Sequence, residues 1–150
     1  LFAYTLPFIF FFFFNNKIQV LEKAEAPAQV PDVVSTITSL WVNDGKRKIQ
    51  IYPRDIFYIT SSSPYIYLHL QQKKYLHSQS LKSILQQLDE NQFVQIHKSC
   101  LVNIHTIACC SSRLNGDYDL TLTNGIVLRL SRNYVPIFRK RTDKAHQVTP

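Results

Sequence analysis

The chain has 150 residues, 45% of them hydrophobic, which allows one packed domain with an appendage and excludes a disordered chain. Its formal net charge of +7 favours a polyanionic partner, whether DNA, RNA or an anionic membrane surface. The three cysteines lack CxxC spacing, which argues against a disulfide framework and fits a reducing compartment.

The chain opens with a nearly continuous apolar run, LFAYTLPFIFFFFF. As a helix these residues would reach only ~21 Å, against a hydrocarbon core of ~30 Å. The basic start and small-residue cleavage site of a signal peptide are missing. We expect residues 1–16 to be the end of a transmembrane segment that begins before Leu1, with a loose hydrophobic tail as the alternative. Lys17 and Lys23 favour an exit on the cytoplasmic side.

Residues 17–39 are typical of a linker, because Pro27 and Pro31 interrupt any helix there. The pattern changes near Ser39, where we place the start of a domain at 40–144, followed by a tail at 145–150. From Trp41 onward there are fifteen Lys and Arg against seven Asp and Glu, so the basic excess belongs to this domain.

The first half of the domain has the short alternating runs of β-strands. Asn43-Asp44-Gly45 and Pro53-Arg54 predict turns, and Ser61-Ser62-Ser63-Pro64 predicts a loop. Strands are expected at 49–52, 56–59, 65–70 and 74–78.

A helical period follows, in which leucine and isoleucine recur at spacings of three and four. Ser78 or Ser80 can cap the first amides of this helix, and Asp89-Glu90-Asn91 ends it. We expect one apolar face, made of helix and strand residues together: Leu81, Ile84, Leu85, Leu88, Ile66, Leu68, Val102 and Ile104.

The stretch 93–104, FVQIHKSCLVNI, is apolar at both ends and polar in the middle. This pattern predicts a turn at His97-Lys98-Ser99 supported by core residues on both sides. Lys98 and Ser99 could donate to phosphates or base edges from such a turn. The alternative is an ordinary surface crossing between strands, with His97 satisfied by a backbone partner.

The last part of the chain again predicts strands, at 104–109, 118–122 and 126–130. Asn124-Gly125 is a strong hairpin signal between the last two of these strands. Pro136 favours a helix starting near Asn133 and ending in a basic tail. The order of elements indicates a mainly β (α+β) fold, mostly antiparallel, with one or two small helices.

Catalysis and metal binding find little support in the pattern. Cys100 lies only three residues after His97, which is a poor spacing for a nucleophile and its base. His97, His105 and Cys109 lack any known zinc spacing, and no glycine-rich phosphate loop is present. We therefore predict that the protein is not an enzyme and expect no metal or other cofactor.

Several motifs resemble the LytTR family of bacterial DNA-binding domains over roughly residues 40–141. They are DIFYITSSSPYIYLHL, SLKSILQQL, FVQIHKSCLVNIHTI, the Asn-Gly hairpin and LSRNY, in that order. Gln95 and Thr60 depart from the family pattern, which more often has an arginine and an acidic residue there. The resemblance implies a β-β-β fold of about ten strands. It also implies loops that enter successive major grooves of promoter DNA.

The resemblance further implies DNA-binding residues on three loops: Lys98, Arg132, His97, Ser99, Asn133, Ser63 and Tyr65. Lys98 and Arg132 would be the main donors, and His97 either braces its turn or contacts DNA. The predicted protein is a transcriptional regulator, response-regulator-like, in the cytoplasm but anchored to the cell membrane. It would bind double-stranded DNA, with a dimer on repeated half-sites as a further expectation. The alternative function is a basic module that docks an acidic protein or an anionic membrane surface.

Overall fold

The computed structural model describes residues 36–146, with side chains as far as Lys144. The expected transmembrane remnant at 1–16, the linker up to residue 35 and the last four residues lie outside the described residues. Between residues 36 and 146, no helix combines the length and the apolar character that crossing a membrane requires.

The described residues form ten strands and two α-helices, all strand pairs being antiparallel. The strands are β1 (Leu40–Asp44), β2 (Arg47–Ile51), β3 (Tyr58–Ser62), β4 (Tyr65–His69), β5 (Lys74–His77), β6 (Phe93–His97), β7 (Cys100–Asn103), β8 (Ile107–Ser112), β9 (Tyr118–Leu122) and β10 (Val127–Leu130). The helices are α1 (Leu81–Gln87) and α2 (Val135–His146), and 3-10 turns lie at Pro53–Asp55, Ile104–Thr106 and Arg132–Tyr134. The predicted mainly β fold is confirmed.

The strands make three sheets. β1 and β2 form a hairpin, five strands form a central sheet in the order β5-β4-β3-β7-β6, and the last three form a sheet in the order β10-β9-β8. Turn chemistry explains several connections. Gly45 and Gly125 adopt φ of +62° and +85°, a region that glycine enters without strain. Ser80 caps α1 by accepting a hydrogen bond from the Ser83 amide over 3.1 Å.

The central sheet is buried on both faces. One face packs against α1 and the β1–β2 hairpin, and its core includes Ile59, Ile66 and Leu101. The opposite face packs against the three-stranded sheet and α2 through residues such as Val94 and Val102. Successive strand residues point to opposite faces, so neighbours such as Leu101 and Val102 belong to different cores.

This arrangement corrects the predicted apolar face. Leu81, Ile84 and Leu88 do pack with Ile66 and Leu68, whereas Val102 and Ile104 belong to the core on the other side. Leu85 is only partly buried at the edge of the first core. Since the run Leu101-Val102 is apolar at both positions, alternation along the sequence could not tell which residue faces α1.

Some element boundaries also differ from the predictions. Ile56 and Phe57 precede β3, which instead continues through Ser62, and a 3-10 turn occupies Ile104–Thr106. Asn103 contacts both segments. Its side-chain amide donates to the Ile56 carbonyl over 2.9 Å, its own backbone amide donates to the Phe57 carbonyl over 2.9 Å, and its Oδ1 accepts from the His105 amide over 3.1 Å. The bond to Phe57 is in register with the Tyr58–Val102 pair of β3 and β7, and the side-chain bonds to Ile56 and His105 are made where that pairing ends.

Candidate nucleic-acid interface

The polar turn predicted in the middle of 93–104 is present. β6 and β7 are joined by Lys98 and Ser99, and the strands on both sides contribute to the cores. The His97 ring lies within this turn, where its Nδ1 is 2.9 Å from the Ser99 hydroxyl. The Gln95 side chain donates to the His97 carbonyl over 3.1 Å. The turn is therefore internally braced, and Lys98 extends from it into solvent.

The predicted loop at 61–65 is tighter than the sequence indicated. β3 and β4 pair as far as Ser62 and Tyr65, which leaves Ser63 and Pro64 as a two-residue turn. The Ser61 amide donates to the carbonyl of Ser99 over 2.8 Å. This hydrogen bond fixes the tip of the β3–β4 hairpin beside the β6–β7 turn. Ser63 and Tyr65 are exposed there, Tyr65 at 43%.

The third predicted segment follows β10, where Arg132 and Asn133 lie in a 3-10 turn rather than in the start of α2. The Ser131 amide donates to the Ile96 carbonyl over 3.0 Å. Arg132 and Asn133 are both exposed. This segment is therefore attached to β6 just before the turn that carries Lys98.

Two backbone hydrogen bonds thus connect all three predicted segments at one end of the central sheet. We call residues 61–65, 97–99 and 131–133 the turn cluster. All seven predicted site residues lie in it, with His97 and Ser99 partly buried and the other five exposed.

The side chains of Lys98 and Arg132 form no hydrogen bond or ion pair with another described residue. Other cations near α2 are engaged: Arg139 contacts the Tyr118 hydroxyl over 2.7 Å, and Arg141 pairs with Glu90. Lys98 and Arg132 are thus available to a ligand, whereas Arg139 and Arg141 are held by the protein itself.

Asp117 is a functional candidate that the sequence analysis missed. Its side chain is only 5% exposed, and one carboxylate oxygen accepts the Arg132 backbone amide over 2.9 Å. The other oxygen accepts from Arg129 Nε over 2.7 Å and from the Asn115 side chain over 3.1 Å. The Arg132 backbone amide, followed by the Arg129 guanidinium, holds the pKa of Asp117 below its ordinary value. In the sequence, Asp117 stands only in a turn pattern, Asn115-Gly116-Asp117, which is common and does not by itself indicate a functional residue.

A depression of about 360 Å³ opens beside this carboxylate. Its lining comes from the β8–β9 turn, from β10 and from the segment after β10: Asn115, Asp117, Arg129, Ser131, Arg132 and Asn133. Two guanidinium groups and only one carboxylate line it, so the depression is suited to an anionic group such as a phosphate.

Behind the turn cluster, the side chain of His69 contacts two residues of β3, the strand that runs into the cluster. Its Nε2 is 2.9 Å from the Thr60 hydroxyl, and its ring stacks on Tyr58 with centroids 4.0 Å apart. Burial, reinforced by Lys74, lowers the pKa of His69 to about 4. His69 is therefore uncharged at neutral pH and adds no charge to the interface.

No group of three or more His, Cys, Asp or Glu residues within the described part of the chain is placed to hold a metal ion. A mainly β domain that exposes unpaired cations on adjoining turns has the character of a nucleic-acid-binding domain. A family model described as the LytTr DNA-binding domain matches residues 46–143. This chain belongs to the LytTR family of DNA-binding domains.

Two further comparisons agree with this assignment. The chain is 26% identical, over 136 residues, to the sensory transduction protein LytT of Enterococcus faecalis. That match covers 86% of this chain and 56% of the relative, so the chain spans little more than half the relative's length. The fold is similar to a solved LytTr DNA-binding domain from Bacillus cereus, with a TM-score of 0.66, 20% identity, and coverage of 71% of this chain and 97% of the other.

Proposed function

We propose that the domain is a sequence-specific transcriptional regulator that reads promoter DNA by inserting the turn cluster into successive major grooves. The observation that carries the proposal is the pair of backbone hydrogen bonds, Ser61 to Ser99 and Ser131 to Ile96, that join the three turns. Base reading requires side chains held in a fixed register, and turns connected in this way meet that requirement.

Arg132 is assigned the main base contact, because a guanidinium can bind O6 and N7 of guanine with two parallel hydrogen bonds. Lys98 offers a single mobile charge, which suits a phosphate or a guanine edge. Ser99, Asn133, Ser63 and Tyr65 are assigned supporting contacts from the same cluster. His97 is assigned to bracing the Lys98 turn through its contact with Ser99.

A role in signalling is part of the proposal. The Enterococcus faecalis relative is named a sensory transduction protein. By analogy, this domain would act in the cytoplasm in response to a signal. Residues 1–16 would supply a membrane anchor, a proposal that rests on their apolar sequence alone. Binding as a dimer to repeated half-sites would add affinity by linking two recognition events.

Selection of bound sequences from random duplex DNA tests the proposal directly. We expect recovery of one preferred site, which the protein binds more tightly than a scrambled duplex when both are measured by fluorescence anisotropy. Sequence preference is the decisive quantity, because any basic protein binds DNA through phosphates. Equal binding to all duplexes would refute the regulator and favour the basic module that docks an acidic protein or an anionic membrane surface.

A further inference from the structure

The hydrogen bonds of Asp117 join three parts of the domain. Asp117 precedes β9, Arg129 lies on β10, and Arg132 begins the 3-10 turn of the turn cluster. The first amides of a helical turn have no acceptor within it, and the Asp117 carboxylate supplies one to Arg132.

We propose that Asp117 is a positioning residue for DNA reading: its carboxylate fixes the backbone from which Arg132 reaches the bases, and Arg129 holds that carboxylate in place. This inference rests on the proposed function. The carboxylate contacts the backbone of Arg132 and not its guanidinium, so the side chain stays free for DNA.

Arg129 gives Asp117 a second effect on binding. The Arg129 side chain is 59% exposed, yet its charge is neutralised by Asp117. Removing the carboxylate would leave this guanidinium as an additional unpaired cation next to the depression. Non-specific affinity would then rise while base discrimination fell. A residue that only stabilised the fold would lower both.

The test compares Asp117→Ala, Asp117→Asn and the parent domain on the selected and scrambled duplexes. Asp117→Ala should reduce the ratio of specific to scrambled affinity at least about fivefold, the scale of one lost base contact. The affinity of this variant for the scrambled duplex should not fall, and its binding affinity should depend more steeply on salt concentration than that of the parent. Asp117→Asn should restore part of the discrimination, because its amide oxygen can still accept the Arg132 amide.

Asp119→Ala is the matched control. Asp119 follows Asp117 by two residues and pairs with Arg113, with a nitrogen–oxygen distance of 2.7 Å, but the Arg132 amide does not depend on it. This variant should keep the parent's affinity ratio. Circular dichroism at the assay temperature shows whether each variant is folded. Should Asp117→Ala not fold, the two single variants Asp117→Asn and Arg129→Gln provide the comparison. Asp117→Asn removes the negative charge of the pair, and Arg129→Gln removes its positive partner.

The same comparison in an Arg132→Ala background separates this inference from the proposed function. If Asp117 acts through Arg132, Asp117→Ala should cause no further loss of discrimination there. An equal loss in both backgrounds, or a folded Asp117→Ala protein with the parent's ratio, would overturn the positioning role. A parent domain without sequence preference would instead overturn the proposed function.

Discussion

The amide of Ser131 donates to the carbonyl oxygen of Ile96 over 3.0 Å, which joins the residue that follows β10 of the three-stranded sheet to β6 of the central sheet. Ile96 is fully buried and lies two residues before Lys98, while Ser131 immediately precedes Arg132. This hydrogen bond therefore sets the position of one proposed DNA contact relative to the other from within the core. Because both partners are backbone atoms, the relationship does not depend on the side chains exposed at the surface.

The two principal cations should respond differently to truncation. Arg132→Ala should lose about 1–3 kcal/mol of specific binding and relax the preference at about one base pair. Lys98→Ala should weaken binding to both duplexes if its partner is a phosphate, with the salt slope shallower by ~0.9. Fluorescence anisotropy across a salt series, with selected and scrambled duplexes, measures both quantities.

Controls for these variants are available at the other end of the central sheet. Lys73 lies in the β4–β5 turn and Arg54 lies before β3, so the length of a strand separates both from the turn cluster. Lys73→Ala and Arg54→Ala should leave base preference unchanged. If Arg132→Ala weakens binding to the selected and the scrambled duplex equally, Arg132 contacts a phosphate and its proposed role in base recognition is wrong.

The core under α1 should be more sensitive at Ile84 than at Leu85. Ile84 is fully buried, whereas Leu85 packs only at the edge of the same core. Ile84→Ala should cost about 2–5 kcal/mol through lost transfer free energy and a cavity. Leu85→Ala should cost roughly 1 kcal/mol, since less apolar surface is involved. Denaturant unfolding at equilibrium compares them, and equal costs would contradict the assigned burial.

Replacing Asn103 should reveal the cost of an unsatisfied buried carbonyl. Asn103 is 1% exposed and donates to the Ile56 carbonyl across 47 positions of sequence. Asn103→Ala should destabilise the domain by about 1–3 kcal/mol. Thermal unfolding checks this, with Asn91→Ala as an exposed control that should change little. A neutral effect at Asn103 would mean that the carbonyl finds another partner.

Stability should fall as the pH is lowered from about 6.5 towards 4. Burial and Lys74 lower the pKa of His69 from its ordinary value of 6.5 to about 4, so the unfolded chain binds the proton first. The free energy of unfolding therefore has its full His69 contribution above 6.5 and loses it as the pH approaches 4. His69→Phe preserves a ring on Tyr58 but cannot titrate. Denaturant unfolding at several pH values should show a smaller pH dependence for this variant, and an unchanged one would contradict the assignment.

The three cysteines should differ in reactivity. Burial raises the pKa of the Cys100 thiol to about 12, whereas Cys109 and Cys110 are exposed on β8. Because the thiolate is the reactive species, a small alkylating reagent at neutral pH should modify Cys109 and Cys110 first. Cys100, which is partly buried, should react more slowly in the native protein than after unfolding. Mass spectrometry of digested protein locates the label, and rapid modification of native Cys100 would be inconsistent with its burial.

Local signals predicted much of the fold. The strand Tyr118–Leu122 has the predicted bounds, and the Asn124-Gly125 turn joins it to the next strand as expected. Ser80 caps a helix whose period was visible in the spacing of Leu81, Ile84 and Leu88. In each case, residues within a few positions of one another determine the structure, so a single sequence contains the necessary information.

The features that the sequence did not predict depend on contacts between residues far apart in the chain. Asn103 donates a side-chain hydrogen bond to the carbonyl of Ile56, just before β3, across 47 positions of sequence, and no local pattern predicts this contact. The carboxylate of Asp117 accepts a hydrogen bond from the backbone amide of Arg132, fifteen positions later, and no local pattern predicts that contact either. The resemblance to a family named three loops as DNA contacts, and the hydrogen bonds that bring these loops together were found only in the structure. The resemblance did not predict the buried carboxylate that supports one of them.

The backbone connections of the turn cluster also matter for redesign. Ser61, Ser99, Ser131 and Ile96 contribute only main-chain atoms to the two bonds that join the three turns. Side chains at positions 63, 98, 132 and 133 could therefore be randomised in a library while the frame that presents them keeps its shape. Such a library would vary what the domain recognises separately from how it folds, which makes this end of the sheet a candidate scaffold for engineered DNA readers.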